Sequence, residues 1–126
     1  TENGHKNVWS VDTENGSISL FTDKIDKTYT FDRIYSPRHS TKDIYNETML
    51  PVIDKFVEGF NGTIFAYGQS SSGKTYTMMG SGKDDGVIHR AIRAIFNAIR
   101  KRTDRQFSLK ISYLEIYNES IKDLLD

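Results

Sequence analysis

An α/β fold is what this sequence predicts, on three observations. Its first third alternates apolar and polar residues in short runs. Gly68-Gln-Ser-Ser-Ser-Gly-Lys-Thr75 fits G-x-x-x-x-G-K-[ST] between the apolar Thr63-Ile-Phe-Ala-Tyr67 and a helix opening at Lys74-Thr-Tyr-Thr-Met-Met79. Val87, Ile88, Ala91, Ile92, Ile95, Phe96 and Ile99 then recur at helical spacing. Strand, glycine-rich turn and helix start are the context that gives the motif physical meaning.

Taken in order, Val8-Trp-Ser-Val11 and Ile18-Ser-Leu20 flank Asn15-Gly16, a hairpin-type dipeptide. Lys27 to Ile34 alternates again, with aromatics on one face, until Ser36-Pro37 stops it. A helix begins near Ser40 or Thr41, either a suitable cap, with Asp43 near its positive end. Its apolar set is Ile44, Val52, Ile53, Phe56 and Val57. Pro51 predicts a kink or restart, and Gly59 with Asn61-Gly62 predicts the end. Thr63 to Tyr67 reads as a buried core strand.

Past Met79, Gly80-Ser-Gly-Lys-Asp-Asp-Gly86 is too glycine-rich for a helix interior. An exposed excursion interrupting one helix is expected there; two helices joined by a linker is the alternative. Arg100-Lys-Arg-Thr-Asp-Arg105 reads as a solvated, basic helix end. Phe107, Leu109, Ile111 and Tyr113 predict a strand with one wet face. Ser120 to Asp126 predicts a short helix with Ile121, Leu124 and Leu125 inward.

The loop motif carries chemistry. Gly68 and Gly73 let backbone N–H groups turn toward phosphate oxygens as an anion-binding nest, beside the positive end of the following helix. Lys74 is placed to reach β- and γ-phosphates. The Thr75 hydroxyl is placed to join a Mg²⁺ shell otherwise made of water and phosphate.

Composition narrows the partners. The 126 residues hold 17 basic and 17 acidic side chains, so net charge argues against a nucleic-acid-binding domain. There is no cysteine, hence no disulfide framework or thiolate metal site. No apolar run is long enough for a membrane span and no signal peptide is visible, so no membrane association is expected. Asn15, Asn46, Asn61 and Asn118 begin N-x-[ST] triplets that read as polar turns. His5, His39 and His89 lack metal-site spacing. With 37% hydrophobic residues, the length suits one domain or part of one. The first residue, Thr1, and the last, Asp126 inside an expected helix, read as cut ends.

Hydrolysis requires a second acid at the metal and a group to position water. The rival for that acid is Glu115, expected to hydrogen-bond structurally or to face solvent, because its strand alternates. Asp23-Lys-Ile-Asp26 is the nearest to a guanine-reading [NT]-K-x-D element, but it precedes the loop. No complete catalytic set is present.

Four ordered segments resemble the kinesin motor domain. Phe60 to Gly80 is similar to that family's strand, phosphate loop and following helix almost residue for residue. Tyr29-Thr-Phe-Asp-Arg-Ile34 resembles F-x-F-D-x-[VI]. Gly86-Val-Ile-His-Arg resembles G-[IL]-I-P-R, with His89 in place of proline. Ser112-Tyr-Leu-Glu-Ile-Tyr-Asn-Glu119 with Asp123-Leu-Leu125 resembles S-[YF]-x-E-I-Y-N-E…D-L-L. Thr75-Tyr-Thr-Met-Met-Gly80 and the short spacing to Gly86 look most like the centromere-associated group.

The resemblance implies a P-loop NTPase fold with a central, mostly β-rich mixed sheet flanked by helices. It implies an ATP-driven microtubule motor in which Gly68, Gln69, Ser70, Ser71, Ser72, Gly73, Lys74 and Thr75 hold Mg-ATP and Tyr76 lies near adenine. Microtubules, a coiled-coil homodimer, and a place in the cytoplasm on the microtubule cytoskeleton, spindle or kinetochore come with it. Residues 1–126 correspond to part of such a domain, the phosphate-binding half. The R-x-R-P strand, the N-x-x-S-S-R-S-H and D-L-A-G-S-E switches and the tubulin-gripping elements are absent from it. These residues alone are therefore expected to lack ATPase activity. A small P-loop phosphotransferase and a non-catalytic module on a degenerate motor fold are the alternative readings.

Overall fold

Asp12 makes the first reversal. Its carboxylate accepts the backbone N–H groups of Glu14 and Asn15, each at 3.0 Å, and the Asn15 side-chain amide at 2.7 Å. Those bonds hold the Asp12 carboxyl below its ordinary range, the Asn15 contacts contributing most. The computed structural model describes residues 9–22 and 26–126. His5, Val8 and the first three residues of Asp23-Lys-Ile-Asp26 lie outside them.

Strand β1 (Trp9–Asp12) pairs antiparallel with β2 (Ser17–Phe21), and β2 with β3 (Asp26–Thr30). The β1–β2 register pairs Asp12 with Ser17, so Asn15-Gly16 ends a four-residue loop instead of forming a two-residue turn. Gly16 has φ 63°, and a Cβ there would meet the Phe31 carbonyl oxygen at 2.5 Å. The register puts Trp9, Val11, Ile18, Leu20 and Tyr29 on one face. On the other, the Ser19 and Thr28 hydroxyls bond at 2.8 Å.

The expected helix forms and is interrupted as its proline requires. Helix α1 (Thr41–Ile44) passes through a π-helical turn, Tyr45–Met49, into α2 (Leu50–Glu58). Pro51 offers no N–H and its ring crowds the carbonyl one turn back, so widening the helix just before it relieves the clash. At the start Ser40 and Asp43 form a capping box. The Asp43 carboxylate accepts the Ser40 backbone N–H at 2.8 Å, and the Ser40 hydroxyl accepts the Asp43 N–H at 3.3 Å. At the end Gly59 turns left-handed with φ 105°, and Gly59 and Phe60 donate to the Phe56 and Lys55 carbonyls.

We expect Ser40→Ala to cost about 1 kcal/mol in urea unfolding. The Ser40 backbone and hydroxyl bonds hold the Asp43 carboxyl below its ordinary range. Its folded value is therefore depressed, so this contribution is present above the unfolded value near 3.8 and fades as pH falls through the folded one. Ser40→Ala removes the hydroxyl bond but keeps the larger backbone one, so it should flatten that acid limb only in part.

After α2 the chain runs without a turn from Phe60 to Gly68, then through the glycine-rich loop into α3 (Lys74–Met79) and α4 (Val87–Lys101). Helices α2 and α4 pack together over a small core of Ile34, Tyr45, Ile53, Val57 and Val87, the last only 1% exposed. The Tyr45 hydroxyl donates to the Arg90 carbonyl at 3.3 Å and ties the π turn to α4.

Three element assignments need correction. Thr63 to Tyr67 is not a paired or buried strand. Ile64 and Ala66 are half-buried, whereas Phe65 is 79% and Tyr67 95% exposed. A strand needs neighbours to receive its N–H and C=O groups, and no described segment pairs with this one. Residues 107–113 likewise form no strand. Ser120 to Asp126 is not a helix: β4 (Leu114–Tyr117) pairs antiparallel with β5 (Ser120–Asp123), with Ile121 71% exposed. Asn118 and Glu119, at φ 46° and 63°, make the two-residue left-handed turn between them. The excursion after Met79 joins two separate helices. The α/β class stands, its described strands arranged as a three-stranded meander and a hairpin.

Candidate phosphate-binding site

The glycine-rich loop bends because its residues permit it. Ser71 and Gly73 take φ 63° and 91°. A Cβ on Gly68 would crowd the Ser72 side chain, with the hydroxyl oxygen at 2.5 Å and Cβ at 3.2 Å. Ser72 N–H bonds the Gln69 carbonyl at 3.2 Å, and Thr77 N–H bonds the Gly73 carbonyl at 2.9 Å. The N–H groups of Ser70, Ser71, Gly73, Lys74 and Thr75 donate to no acceptor among the described residues. A run of uncommitted amides around a left-handed bend is the chemistry of an anion nest.

Lys74 brings its charge back into this bend. Its ammonium donates to the carbonyls of Gly68 and Gln69, both at 2.7 Å. The loop thus folds around a cation with spare donors beside it, a donor set that suits phosphate oxygens. Thr75, in the first turn of α3, is exposed. Among the described residues no cluster of three or more His, Asp or Glu is placed to hold a metal ion.

Tyr76 points elsewhere than the bend. With Thr77 it lines a cleft of about 330 Å³ whose other walls include His39, Ser40, Thr41, Asp84 and Arg90. The sequence reading named Tyr76 but missed these neighbours, which come from three separate segments. Only the run of polar residues around Ser40 hinted at them.

The excursion between α3 and α4 is compact. Gly80 and Asp85 form an antiparallel bridge, and Ser81 and Asp84 exchange backbone bonds of 2.8 and 3.1 Å. Arg90 Nε donates to the Asp85 carbonyl at 3.0 Å, and Arg93 pairs with the Asp85 carboxylate at 2.5 Å. The Arg93 guanidinium holds the Asp85 carboxyl below its ordinary range. These bonds anchor the excursion on α4, on one wall of the Tyr76 cleft. Glu115 is exposed on β4 opposite Lys122.

A model of the kinesin motor domain matches residues 2–126. Human centromere-associated protein E is 57% identical over 99 residues, which cover 79% of this chain and 4% of that protein. Kinesin-like protein KIN-7N of Arabidopsis thaliana is 44% identical over 126 residues, covering 98% of this chain and 15% of that protein. A solved structure of a fast kinesin superposes with a TM-score of 0.85 at 34% identity, covering 94% of this chain and 34% of that one. The chain thus spans a minor part of the length of these relatives. Matched almost end to end by the domain model and superposed on a solved kinesin, this chain belongs to the kinesin motor domain family.

Proposed function

We propose that this chain is the Mg-ATP-binding part of a microtubule motor. The observation that carries the reading is the Lys74 ammonium, held at 2.7 Å from two loop carbonyls within a bend rich in uncommitted amides. Gly68, Gln69, Ser70, Ser71, Ser72 and Gly73 supply the backbone cup. Lys74 moves from its carbonyl partners to the β- and γ-phosphate oxygens, a charge-assisted exchange. Thr75 offers its hydroxyl to Mg²⁺, and Tyr76 borders the cleft that takes the base. Bound magnesium would neutralise charge on the terminal phosphates.

In the whole protein, hydrolysis drives movement along microtubules, in keeping with the fast-kinesin relative, whose description names its ATPase mechanism and interactions with microtubules. The 57% identity with centromere-associated protein E supports chromosome or kinetochore transport as the setting. A coiled-coil homodimer, working in the cytoplasm on microtubules and spindle and away from nucleic acid and membrane, completes this proposal. Residues 1–126, as the phosphate-binding half of a motor domain, contain neither N-x-x-S-S-R-S-H nor D-L-A-G-S-E. By themselves they are expected to lack ATPase activity, because neither of those γ-phosphate-sensing segments is among them.

A titration with a fluorescent ATP analogue, with and without Mg²⁺, tests the reading on the intact protein. Magnesium should tighten binding about tenfold, or about 1.4 kcal/mol, and Thr75→Ala should remove that gain. Equal affinity with and without Mg²⁺ in the unmodified protein would falsify the metal role of Thr75.

A further inference from the structure

We infer that Thr103 is a phosphorylation site for an ATP-dependent protein kinase whose substrate groove is acidic. The inference stands apart from the nucleotide site and begins at the far end of α4. That helix closes on Arg100 and Lys101, and Arg102 leaves it in an extended conformation with φ −97° and ψ 120°. No helix or strand follows until Leu114. Arg100-Lys101-Arg102-Thr103 is therefore three consecutive cations followed by a hydroxyl, on backbone that has just become free to lie along another protein's groove.

The side chains are available as well as the backbone. Arg100, Lys101 and Thr103 are exposed, and Arg102 is half-buried. None of the three cations is within ion-pair distance of a carboxylate among the described residues, although the Arg102 charge also acts on Glu58 and Asp104. The Thr103 hydroxyl bonds to no described residue. An acidic groove gains charge-assisted contacts with exposed Arg100 and Lys101, and the basic triplet immediately before Thr103 fixes which hydroxyl is presented.

Other hydroxyls near arginine are less suited. Ser40 and Thr41 follow Arg38, but the Ser40 hydroxyl is engaged in the capping box and Thr41 is already helical. Ser108 follows Arg105 by three residues. The Arg105 guanidinium is occupied by the Asp104 carboxylate, at 2.8 and 2.9 Å.

In the reaction the Thr103 Oγ1 attacks the γ-phosphorus of ATP. A new O–P bond forms, the bond from that phosphorus to the β–γ bridging oxygen breaks, and ADP leaves. The hydroxyl proton passes to the kinase's base and then to water, and nothing is oxidised or reduced. A phosphate here carries nearly two negative charges at neutral pH, which takes the segment 100–105 from about +3 to about +1. A strongly basic tip thereby becomes weakly basic, with acceptor oxygens beside Arg100 and Arg102.

The test treats the intact, folded protein with ATP and the catalytic subunit of a kinase that prefers basic substrates, then maps phosphate by peptide mass spectrometry. One phosphate on Thr103 is expected. It should disappear in Thr103→Ala, persist in Thr103→Ser, and form roughly tenfold more slowly when Arg100 and Arg102 are both alanine. The inference is overturned by no incorporation, by phosphate confined to Ser40, Thr41 or Ser108, or by an unchanged rate in the double variant. Modification of Thr103 only after denaturation in urea overturns it equally.

Discussion

Replacing Lys74 with alanine is expected to weaken nucleotide binding roughly 30- to 1,000-fold, the equivalent of about 2–4 kcal/mol for lost charge-assisted contacts to phosphate. The magnitude follows from what the ammonium faces. Its two carbonyl partners lie within the bend where the phosphates are proposed to sit, at 2.7 Å each. No other lysine or arginine belongs to the loop itself, so no neighbour can replace the charge. Lys74→Arg should recover only part of the affinity, because a planar guanidinium is too broad for a cup sized to a point charge. Titration of the intact protein with labelled ATP measures both. Urea unfolding alongside should move little, since the two carbonyls released by the alanine can turn to water. An affinity within threefold of the unmodified protein would show that the loop holds something other than phosphate.

The second large effect concerns the link between α3 and α4. Gly80 has φ 85°, and a Cβ on it would lie 2.1 Å from the Asp84 carbonyl oxygen and 2.4 Å from the Gly86 nitrogen. Both neighbours are backbone, so no side chain can swing aside. Gly80→Ala combines a disfavoured conformation with overpacking against main chain, and a loss of about 3 kcal/mol or more is expected. Against a typical total stability of about 5–15 kcal/mol, that is a large share. Gly82, in the same excursion, has nothing within 4 Å of its Cβ position. Gly82→Ala should therefore change stability by less than about 0.5 kcal/mol. Urea midpoints of the two variants, measured on the same preparation, separate a tight backbone crossing from an indifferent loop. Equal midpoints would mean the bridge between Gly80 and Asp85 does not persist in solution.

Local chemistry made much of this legible beforehand. Ser40 and Thr41 were both candidate caps near an acidic first turn, and the structure gives the role to Ser40, in a box with Asp43. Pro51 announced a disturbance, delivered as a π turn, because a missing N–H is felt within one turn of helix. Gly59 closes α2 and the apolar stripe of α4 forms a helix for similarly short-range reasons. His89 stands where the family carries proline. It occupies the third position of α4, where a backbone amide has no intrahelical acceptor in any case.

The errors share the opposite character. Ile121, Leu124 and Leu125 imitate a helical face, yet the reversal at Asn118 and Glu119 lets Ile121 stand opposite Ile116 instead. Ile121 pairs with a residue earlier in the chain, a contact that helical spacing does not encode. Thr63 to Tyr67 and Phe107 to Tyr113 carry strand composition without a described partner strand, and ladder bonds need two participants.

From the residues alone came the α/β class, the glycine-rich loop motif, the family and the starts of α1, α3 and α4, because each is set by amino acids a few positions apart. The folded arrangement decided which strand-like segments are paired, where Lys74 sends its charge, and that Tyr76 shares a cleft with His39 and Arg90. The cleft depends on segments far apart in the chain, brought together by contacts such as the Tyr45 hydroxyl on the Arg90 carbonyl at 3.3 Å, and no local pattern encodes a distance that only packing sets.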